Sequence, residues 1–153
     1  MKKYFFTQKG LETLQVELST LLLDRKKAVI ELKTARELGD LSENGFYKSA
    51  RFKLSGIDRR LRQLKTMISN AHIILPSQSA HITMGDTVTI INDKSEKTFT
   101  IVGNIEANPS KNSISNVSPL GKAMLGKSLH NLITIKTPSG VLTYTITKIE
   151  KLQ

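Results

Sequence analysis

Residues 11–36 read LETLQVELSTLLLDRKKAVIELKTAR, and residues 47–71 read YKSARFKLSGIDRRLRQLKTMISNA. Their apolar residues recur at alternating intervals of three and four, which is the spacing of a coiled-coil seam. The two segments are near mirror images about Leu41, because the residue numbers of each matched pair add up to 82. Only the match of Arg25 with Ile57 interrupts the apolar seam. The pattern predicts two helices folded back on each other as an antiparallel coiled coil. The matched pairs are Leu11 with Ala71, Leu14 with Ile68, Leu18 with Leu64, Leu21 with Leu61, Ala28 with Leu54, Leu32 with Ala50 and Ala35 with Tyr47.

The limits of the two helices follow from capping residues. Thr7 is a candidate cap for the first helix, which we expect to run to about Leu38, where Gly39 can adopt the left-handed geometry that ends a helix. The second helix is expected to begin within residues 42–46 and to continue to about Ile74. With roughly 27 residues per arm and about 1.5 Å of rise per residue, the rod is about 40 Å long.

The second half of the chain changes from a helical to an alternating pattern. A short helix is predicted at residues 120–125, with Ser118 as its cap and Pro119 in its first turn. The fold class is therefore α+β: an N-terminal antiparallel helical hairpin followed by a small antiparallel β-sheet domain with one short helix. The predicted strands cover residues 87–91, 98–102, 132–136 and 141–149, and the predicted domains are residues 1–75 and 81–153, joined by a linker at 76–80.

Composition narrows the function classes. The chain of 153 residues has no cysteine, which excludes disulfides and thiolate nucleophiles, and its formal charge of +10 points to a polyanionic partner. Residues 1–75 hold 15 Lys and Arg against 8 Asp and Glu, so most of the excess charge belongs to the hairpin. No segment has the length of a membrane span or the pattern of a signal peptide, so we expect a cytoplasmic protein with no membrane partner.

The turn at residues 39–45, GDLSENG, carries the one candidate for chemistry. Asp40 and Glu43 are either capping and solvating turn residues or ligands of a metal ion. Mg²⁺ is bound through one or two carboxylates together with substrate phosphates, so as metal ligands this pair would be half of a site that another molecule completes. Arg36, Lys48 and Arg51 flank the turn and would hold a nucleic-acid backbone close to it. The three histidines, His72, His81 and His130, lack metal-ligand spacing.

The segment Ala35-Arg36-Glu37-Leu38-Gly39-Asp40-Leu41-Ser42-Glu43-Asn44, with Tyr47 and Ala50-Arg51 after it, resembles the tip signature of the bacterial Gre transcript cleavage factors, GreA and GreB. The resemblance covers nearly the whole chain. It includes Thr7 and Gly10 at the start, Gly85-Asp86-Thr87-Val88 in the second half, and the run from Ser118 to Lys127. That run favours the GreA type, whereas the overall basicity and the stretch Ile57-Asp58-Arg59-Arg60 are closer to GreB; on balance the GreA type is preferred.

The resemblance implies a mechanism. Gre factors insert the coiled coil through the secondary channel of a backtracked RNA polymerase, and a C-terminal domain similar in fold to FKBP-type isomerases docks at the channel rim. The polymerase then cuts the nascent RNA 3′ end in its own active site. The protein is thus expected to be a monomeric, non-enzymatic factor without a cofactor of its own. Asp40 and Glu43 would share a Mg²⁺ with the polymerase, supported in the tip by Gly39, Leu41, Ser42, Asn44 and Tyr47. The residues implied to contact RNA are Arg36, Lys48, Arg51, Arg59, Arg60 and Arg62, and those implied to dock on the polymerase are Ser118, Pro119, Leu120 and Gly121.

Some alternatives stay open. Arg59, Arg60 and Arg62 are equally explained as a solvated helix face. Gly45 and Phe46 replace the alanine and acidic residue usual in the family, and an exposed Phe46 would either stack on a base or pack under the turn. The rival functions are a channel-binding inhibitor of the same architecture, which blocks the polymerase without promoting cleavage, and a basic coiled-coil module that grips structured RNA.

Overall fold

The structure is a computed structural model that describes residues 3–38, 44–93, 95–138 and 140–152. It divides into two compact units. The hairpin unit comprises residues 11–70, and the β unit comprises residues 71–153 together with residues 1–10. The predicted boundaries at 75 and 80 differ from this division, because the first ten residues and residues 71–75 pack with the β unit.

The hairpin unit consists of helices α1, Gln8–Glu37, and α2, Gly45–Ser69. The predicted seam positions on these helices are all buried or half-buried, whereas apolar residues off the seam, such as Val16 and Ile30, are 66% exposed. A two-helix rod has only one internal face, so a second apolar stripe remains on its surface. The fully buried residues of the hairpin are Ala28, Ala35, Ala50, Leu61 and Leu64.

Three ion pairs join α1 to α2 and fix their antiparallel register. They are Glu17 with Arg60, Arg25 with Asp58, and Glu31 with Lys53, each with an N–O distance of 2.7 Å. Later residues of α1 pair with earlier residues of α2, as an antiparallel arrangement requires. Arg25 interrupts the apolar seam because its guanidinium turns outward to the Asp58 carboxylate. Since all three pairs are largely exposed, each stabilises the hairpin by no more than about 1 kcal/mol.

The predicted extension of the second helix to Ile74 is wrong. Helix α2 ends at Ser69, where Asn70 caps it by donating its backbone N–H and its side-chain amide to the Thr66 carbonyl. The chain then forms strand β2, Ala71–Ile73, which pairs in parallel with β1, Tyr4–Phe6. This pairing and the burial of Phe6 override the helical pattern at residues 71–74.

The β unit also contains a five-stranded sheet with the strand order β5-β4-β3-β7-β6. The pairs β3–β4, β3–β7 and β6–β7 are antiparallel, which confirms the two predicted hairpins, whereas β4–β5 is parallel and was not predicted. The elements are β3 Thr87–Asn92, β4 Ser95–Val102, a 3₁₀ turn Pro109–Lys111, β5 Ser113–Ser115, helix α3 Pro119–Met124, β6 Leu132–Thr137 and β7 Gly140–Glu150.

Helix α3 covers one face of this sheet and closes the core. Met124 from α3 is fully buried, as are the inward-facing residues of β3, β4, β6 and β7. Because successive residues of a strand point to opposite faces, this alternation produces the period of two in the sequence. The core consists of Ile82, Val88, Ile90, Ile101, Met124, Ile133, Tyr144 and Ile146.

One carboxylate is buried beside this core. Asp86 is fully buried and accepts hydrogen bonds from the Thr83 backbone N–H at 2.7 Å and from the Lys151 ammonium at 2.7 Å. It also accepts the Thr83 hydroxyl and the backbone N–H of Leu152. Since a buried charge is tolerated only when it is paired and hydrogen-bonded, Asp86 holds the end of the chain against the start of β3.

The loop before β6 contains a residue with a left-handed backbone conformation. His130 has a φ of 64°, in the left-handed region where glycine is favoured. The neighbouring Asn131 supports the turn, because its side-chain oxygen accepts the Ser128 backbone N–H at 2.8 Å. This hydrogen bond stabilises the turn that leads into β6.

Candidate functional site

The tip of the hairpin is held at its base by one side chain. Asn44 caps α2, since its side-chain oxygen accepts the Tyr47 backbone N–H at 3.0 Å. Its amide also donates to the carbonyl of Ala35 in the last turn of α1, at 2.9 Å. Ala35 and Ala50 are buried there, so the two helices approach closely. Asn44 therefore ties the start of α2 to the end of α1.

The two predicted catalytic carboxylates, Asp40 and Glu43, lie outside the described residues, and so do Gly39, Leu41 and Ser42. The chain enters this segment from Leu38 and leaves it at Asn44, so the ends of α1 and α2 bracket it. Tyr47, predicted to support the tip, is half-buried one turn into α2, while Phe46 is half exposed.

The cations predicted to contact RNA fall into two groups. Arg36, Lys48, Arg51, Arg59 and Arg62 are exposed, and none of them forms an ion pair with another residue that the structure describes. Arg60 differs, because its guanidinium donates two hydrogen bonds to the Glu17 carboxylate, at 2.7 and 2.9 Å. The hydrogen bond to Glu17 raises the pKa of the Arg60 guanidinium above its ordinary value, so this group remains charged and paired.

No metal centre is visible in the part of the chain that the structure describes. Within residues 3–38, 44–93, 95–138 and 140–152, no three His, Cys, Asp or Glu side chains are grouped so as to hold an ion. The two carboxylates of the tip offer hard oxygen donors, the ligand type that Mg²⁺ prefers. Over the same described residues, no helix combines the length and the apolarity that crossing a bilayer requires.

A contact that the sequence did not reveal anchors the beginning of α1. Thr7 caps α1 as predicted, because its hydroxyl accepts the Gly10 backbone N–H at 3.0 Å. The Glu106 carboxylate in turn accepts both the backbone N–H and the hydroxyl of Thr7. A Cβ atom on Gly10 would overlap this carboxylate, so glycine is needed for the approach of Glu106. In the sequence, only Gly10 could have indicated this contact, because a glycine in the first turn of a helix lowers helix stability and so suggests a close approach by another group.

The predicted docking residues surround the start of α3, and two of them are structural. The Ser118 hydroxyl accepts the backbone N–H of Gly121 at 3.1 Å and donates to the carbonyl of Ser115 at 2.7 Å. Gly121 is buried so close to the Ser115 carbonyl that no side chain would fit there. Leu120 packs against the core, whereas Pro119 is exposed. Among these four, Pro119 is the residue that presents its side chain to solvent.

An apolar cavity of about 240 Å³ opens beside this segment in the β unit. Phe5, Ile105 and Val117 line it, and each of these side chains is between 40 and 53% exposed. An exposed apolar cluster of this kind is typical of a protein-binding surface. The remaining lining residues are Lys3, Tyr4, Asn104 and Asn116.

Comparison with known proteins places both halves of the chain in one family. The family model described as transcription elongation factor, N-terminal, matches residues 4–73, and the model described as transcription elongation factor, GreA/GreB, C-term, matches residues 77–151. The chain therefore belongs to the GreA/GreB family of transcription elongation factors.

Individual relatives favour the GreA type, in agreement with the sequence. The chain is 41% identical to transcription elongation factor GreA of Chloroflexus aggregans, over 97% of this chain and 98% of that protein. It is 38% identical to the GreA of Oceanobacillus iheyensis, with the same coverage. Among solved structures, GreA factor homolog 1 (Gfh1) of Thermus thermophilus is 24% identical, with a TM-score of 0.47, over 97% of this chain and 99% of that one.

Proposed function

We propose that this protein binds bacterial RNA polymerase in the cytoplasm and stimulates the polymerase to cleave the 3′ end of backtracked RNA. The observation that carries this proposal is the long helical hairpin. The two helices bury their shared apolar face along the seam, and Asp40 and Glu43 lie in the sequence between them. A rod of this kind delivers a small acidic group to a place that a globular domain cannot enter. Family membership supplies the partner, since the named relatives are transcription elongation factors.

The chemistry assigned to the tip is metal-assisted hydrolysis in which the protein supplies ligands and the polymerase supplies the active site. A Mg²⁺ bound there lowers the pKa of a water molecule and stabilises the charge that develops during displacement at phosphorus. Asp40 and Glu43 contribute carboxylate oxygens to this ion and orient the attacking water. The protein has no hydrolytic activity of its own in this scheme, because two carboxylates hold Mg²⁺ weakly without substrate phosphates.

The remaining features support binding and positioning. The exposed cations Arg36, Lys48 and Arg51 lie near the tip, where they attract the displaced RNA. The apolar cluster of Phe5, Ile105 and Val117, together with Pro119, provides a surface for docking on the polymerase. Polymerase binding and RNA cleavage are therefore assigned to separate parts of the chain.

The test is single-turnover RNA cleavage by a backtracked elongation complex, with and without the protein. We expect strong stimulation by the wild type and loss of at least about a hundredfold for Asp40→Asn/Glu43→Gln, since placing a catalytic metal and water is worth several kcal/mol. The matched control is Asp24→Asn, which removes an exposed carboxylate of α1 far from the tip and should leave cleavage unchanged.

Competition with labelled wild type measures polymerase binding separately, and the double variant should compete normally. Undiminished cleavage by the double variant would contradict the proposed mechanism. Slower elongation without RNA shortening by the wild type would instead identify a channel-binding inhibitor.

A further inference from the structure

Phe52 on α2 is the most exposed large apolar side chain that the structure describes, at 81%. Exposing a phenylalanine to this extent forgoes most of the free energy that its burial would provide. Of its four neighbours one turn away, Ser49, Ser55 and Gly56 are small, and the fourth is Lys48. An added Cβ on Gly56 would meet no atom within 4 Å, so the space beside the ring is open. The ring is therefore accessible to a flat ligand.

Exposed cations share the face of α2 that carries Phe52. Residues separated by three, four or seven positions lie on one side of a helix, which places Lys48 and Arg59 on the side of Phe52. Arg51 and Arg62 lie about a quarter of a turn around the helix, along one edge of that side. This face points away from the seam that buries Ala50, Leu61 and Leu64. The cations have no ion-pair partner among residues 3–38, 44–93, 95–138 and 140–152, whereas the neighbouring Lys53 and Arg60 are paired with acidic residues of α1. The positive charge of the face is thus left for an external anion.

We propose that Phe52 stacks on an unpaired base of single-stranded RNA whose phosphates contact these cations. Aromatic side chains in a basic setting are the usual platform for single-stranded nucleic acid, because every base has a face that can stack and the backbone provides the charge. This inference rests on the proposed function, since it names the residue that holds the RNA during cleavage. It assigns to Phe52 a contact with a base, in addition to the phosphate contacts expected of the cations.

A second apolar stripe of the hairpin contains no aromatic residue and serves as a comparison. Val16, Leu23 and Ile30 recur every seven residues on α1 and are between 59 and 66% exposed. Nothing in the described residues indicates a binding partner for these side chains, so we assign them no function. Ile30→Ala removes a similarly exposed side chain that also has lysines one turn away, Lys26, Lys27 and Lys33, but that is aliphatic and cannot stack on a base. This makes it a matched control for Phe52→Ala.

The experiment measures the binding of the full chain to a fluorescent twelve-nucleotide single-stranded RNA at low salt. A second probe has the same length and charge but lacks bases at its central positions. We expect Phe52→Ala to weaken binding to the first probe about tenfold, in the range typical for loss of one stacked base, and to leave binding to the abasic probe unchanged. Phe52→Trp should restore binding, and Ile30→Ala should match the wild type.

Arg59→Ala provides a contrasting result, because it should weaken binding to both probes and reduce the salt dependence. The proposal is overturned by equal effects of Phe52→Ala on the two probes, or by absence of binding of the wild type to the base-containing probe. It is also overturned by weaker binding of Phe52→Ala to polymerase that holds no RNA, because Phe52 would then contact the polymerase.

These outcomes are separable from a failure of the proposed function. The Asp40→Asn/Glu43→Gln variant should bind both RNA probes at least as tightly as the wild type does, since the carboxylates do not contribute to stacking and their loss removes negative charge near the cations. If that variant still stimulates cleavage while Phe52→Ala shows the base-dependent loss, the tip mechanism fails and the stacking contact stands. If it abolishes cleavage while Phe52→Ala binds both probes normally, the stacking contact fails and the tip mechanism stands.

Discussion

The two units of this protein each contain an acid–base pair with the same N–O distance of 2.7 Å, in very different surroundings. In the β unit, the Asp86 carboxylate is fully buried against Lys151, and backbone N–H groups bind it as well. In the hairpin unit, Glu17 and Arg60 are more than a third exposed. Distance alone therefore does not decide what such a pair contributes, because water competes for the exposed pair and not for the buried carboxylate.

The same contrast extends to the apolar residues. The β unit collects eight buried residues into one core around α3 and the sheet. The hairpin buries residues only along one seam and leaves Val16, Leu23 and Ile30 on its surface. A two-helix rod has a smaller core than a globular domain of the same size but a greater length. The proposed function needs this length.

Among substitutions that test this contrast, the largest loss of stability is expected in the β unit. Asp86→Ala should lower the free energy of unfolding by about 3 kcal/mol, because it leaves the Thr83 N–H and the Lys151 ammonium without their buried acceptor. Urea titration of the full chain measures this loss. Glu150→Ala, which removes an exposed carboxylate paired with Lys148, is the control and should leave the free energy of unfolding nearly unchanged. A similarly small loss for Asp86→Ala would show that burial does not distinguish the pairs.

An intermediate effect is expected where Glu106 meets the first turn of α1. Glu106→Ala should lower the free energy of local opening at the Thr7 and Gly10 amides, measured by hydrogen exchange, by about 1–2 kcal/mol. This is the usual cost of losing a helix cap. Gly10→Ala should have a similar effect, because its methyl group displaces the carboxylate.

In the Glu106→Ala background, however, Gly10→Ala should become stabilising by about 1 kcal/mol, since alanine favours the helix once the overlap is gone. If the effects of the two substitutions on stability are additive, the absence of a side chain at Gly10 is not what allows Glu106 to reach Thr7. Glu96→Ala, which removes an exposed carboxylate of β4 in the same unit, controls for the loss of charge.

The smallest effect belongs to the exposed pair of the hairpin. In a double-mutant cycle of Glu17→Gln and Arg60→Gln, the coupling free energy should be below about 1 kcal/mol. It should fall further in 1 M salt, where charges are screened within about 3 Å. A coupling free energy of several kcal/mol that is insensitive to salt would contradict this expectation. The exposed pair would then contribute as much as the buried pair of Asp86 and Lys151, and the two units would not differ in this respect.

The features predicted from the sequence are those that local patterns determine. The heptad spacing predicted the hairpin and its register, and the Ser118-Pro119 cap predicted α3, because each signal lies within a few residues of its effect. The parallel pairing of β1 with β2 was missed, since three-residue strands show no period and their partners lie far apart in the chain. The contact of Thr7 with Glu106 was missed for the same reason, as the two residues are separated by 99 positions.

The candidate site divides in the same way. Asn44 was predicted as a tip residue, but its bond to the Ala35 carbonyl requires the folded hairpin. The basic residues of α2 could be read from the sequence, whereas the pairing of Arg60 with Glu17 and the exposure of Phe52 depend on how the helices face each other. The assignment of Asp40 and Glu43 rests on family resemblance and is the part that most needs an experiment.

The most direct test of that assignment is the Mg²⁺ dependence of RNA cleavage in a backtracked elongation complex saturated with the protein. If Asp40 and Glu43 complete a metal site, the wild type should lower the Mg²⁺ concentration for half-maximal cleavage, and Asp40→Asn/Glu43→Gln should return it to the value of polymerase alone without loss of binding. Identical Mg²⁺ dependence for the wild type and the double variant would contradict the account.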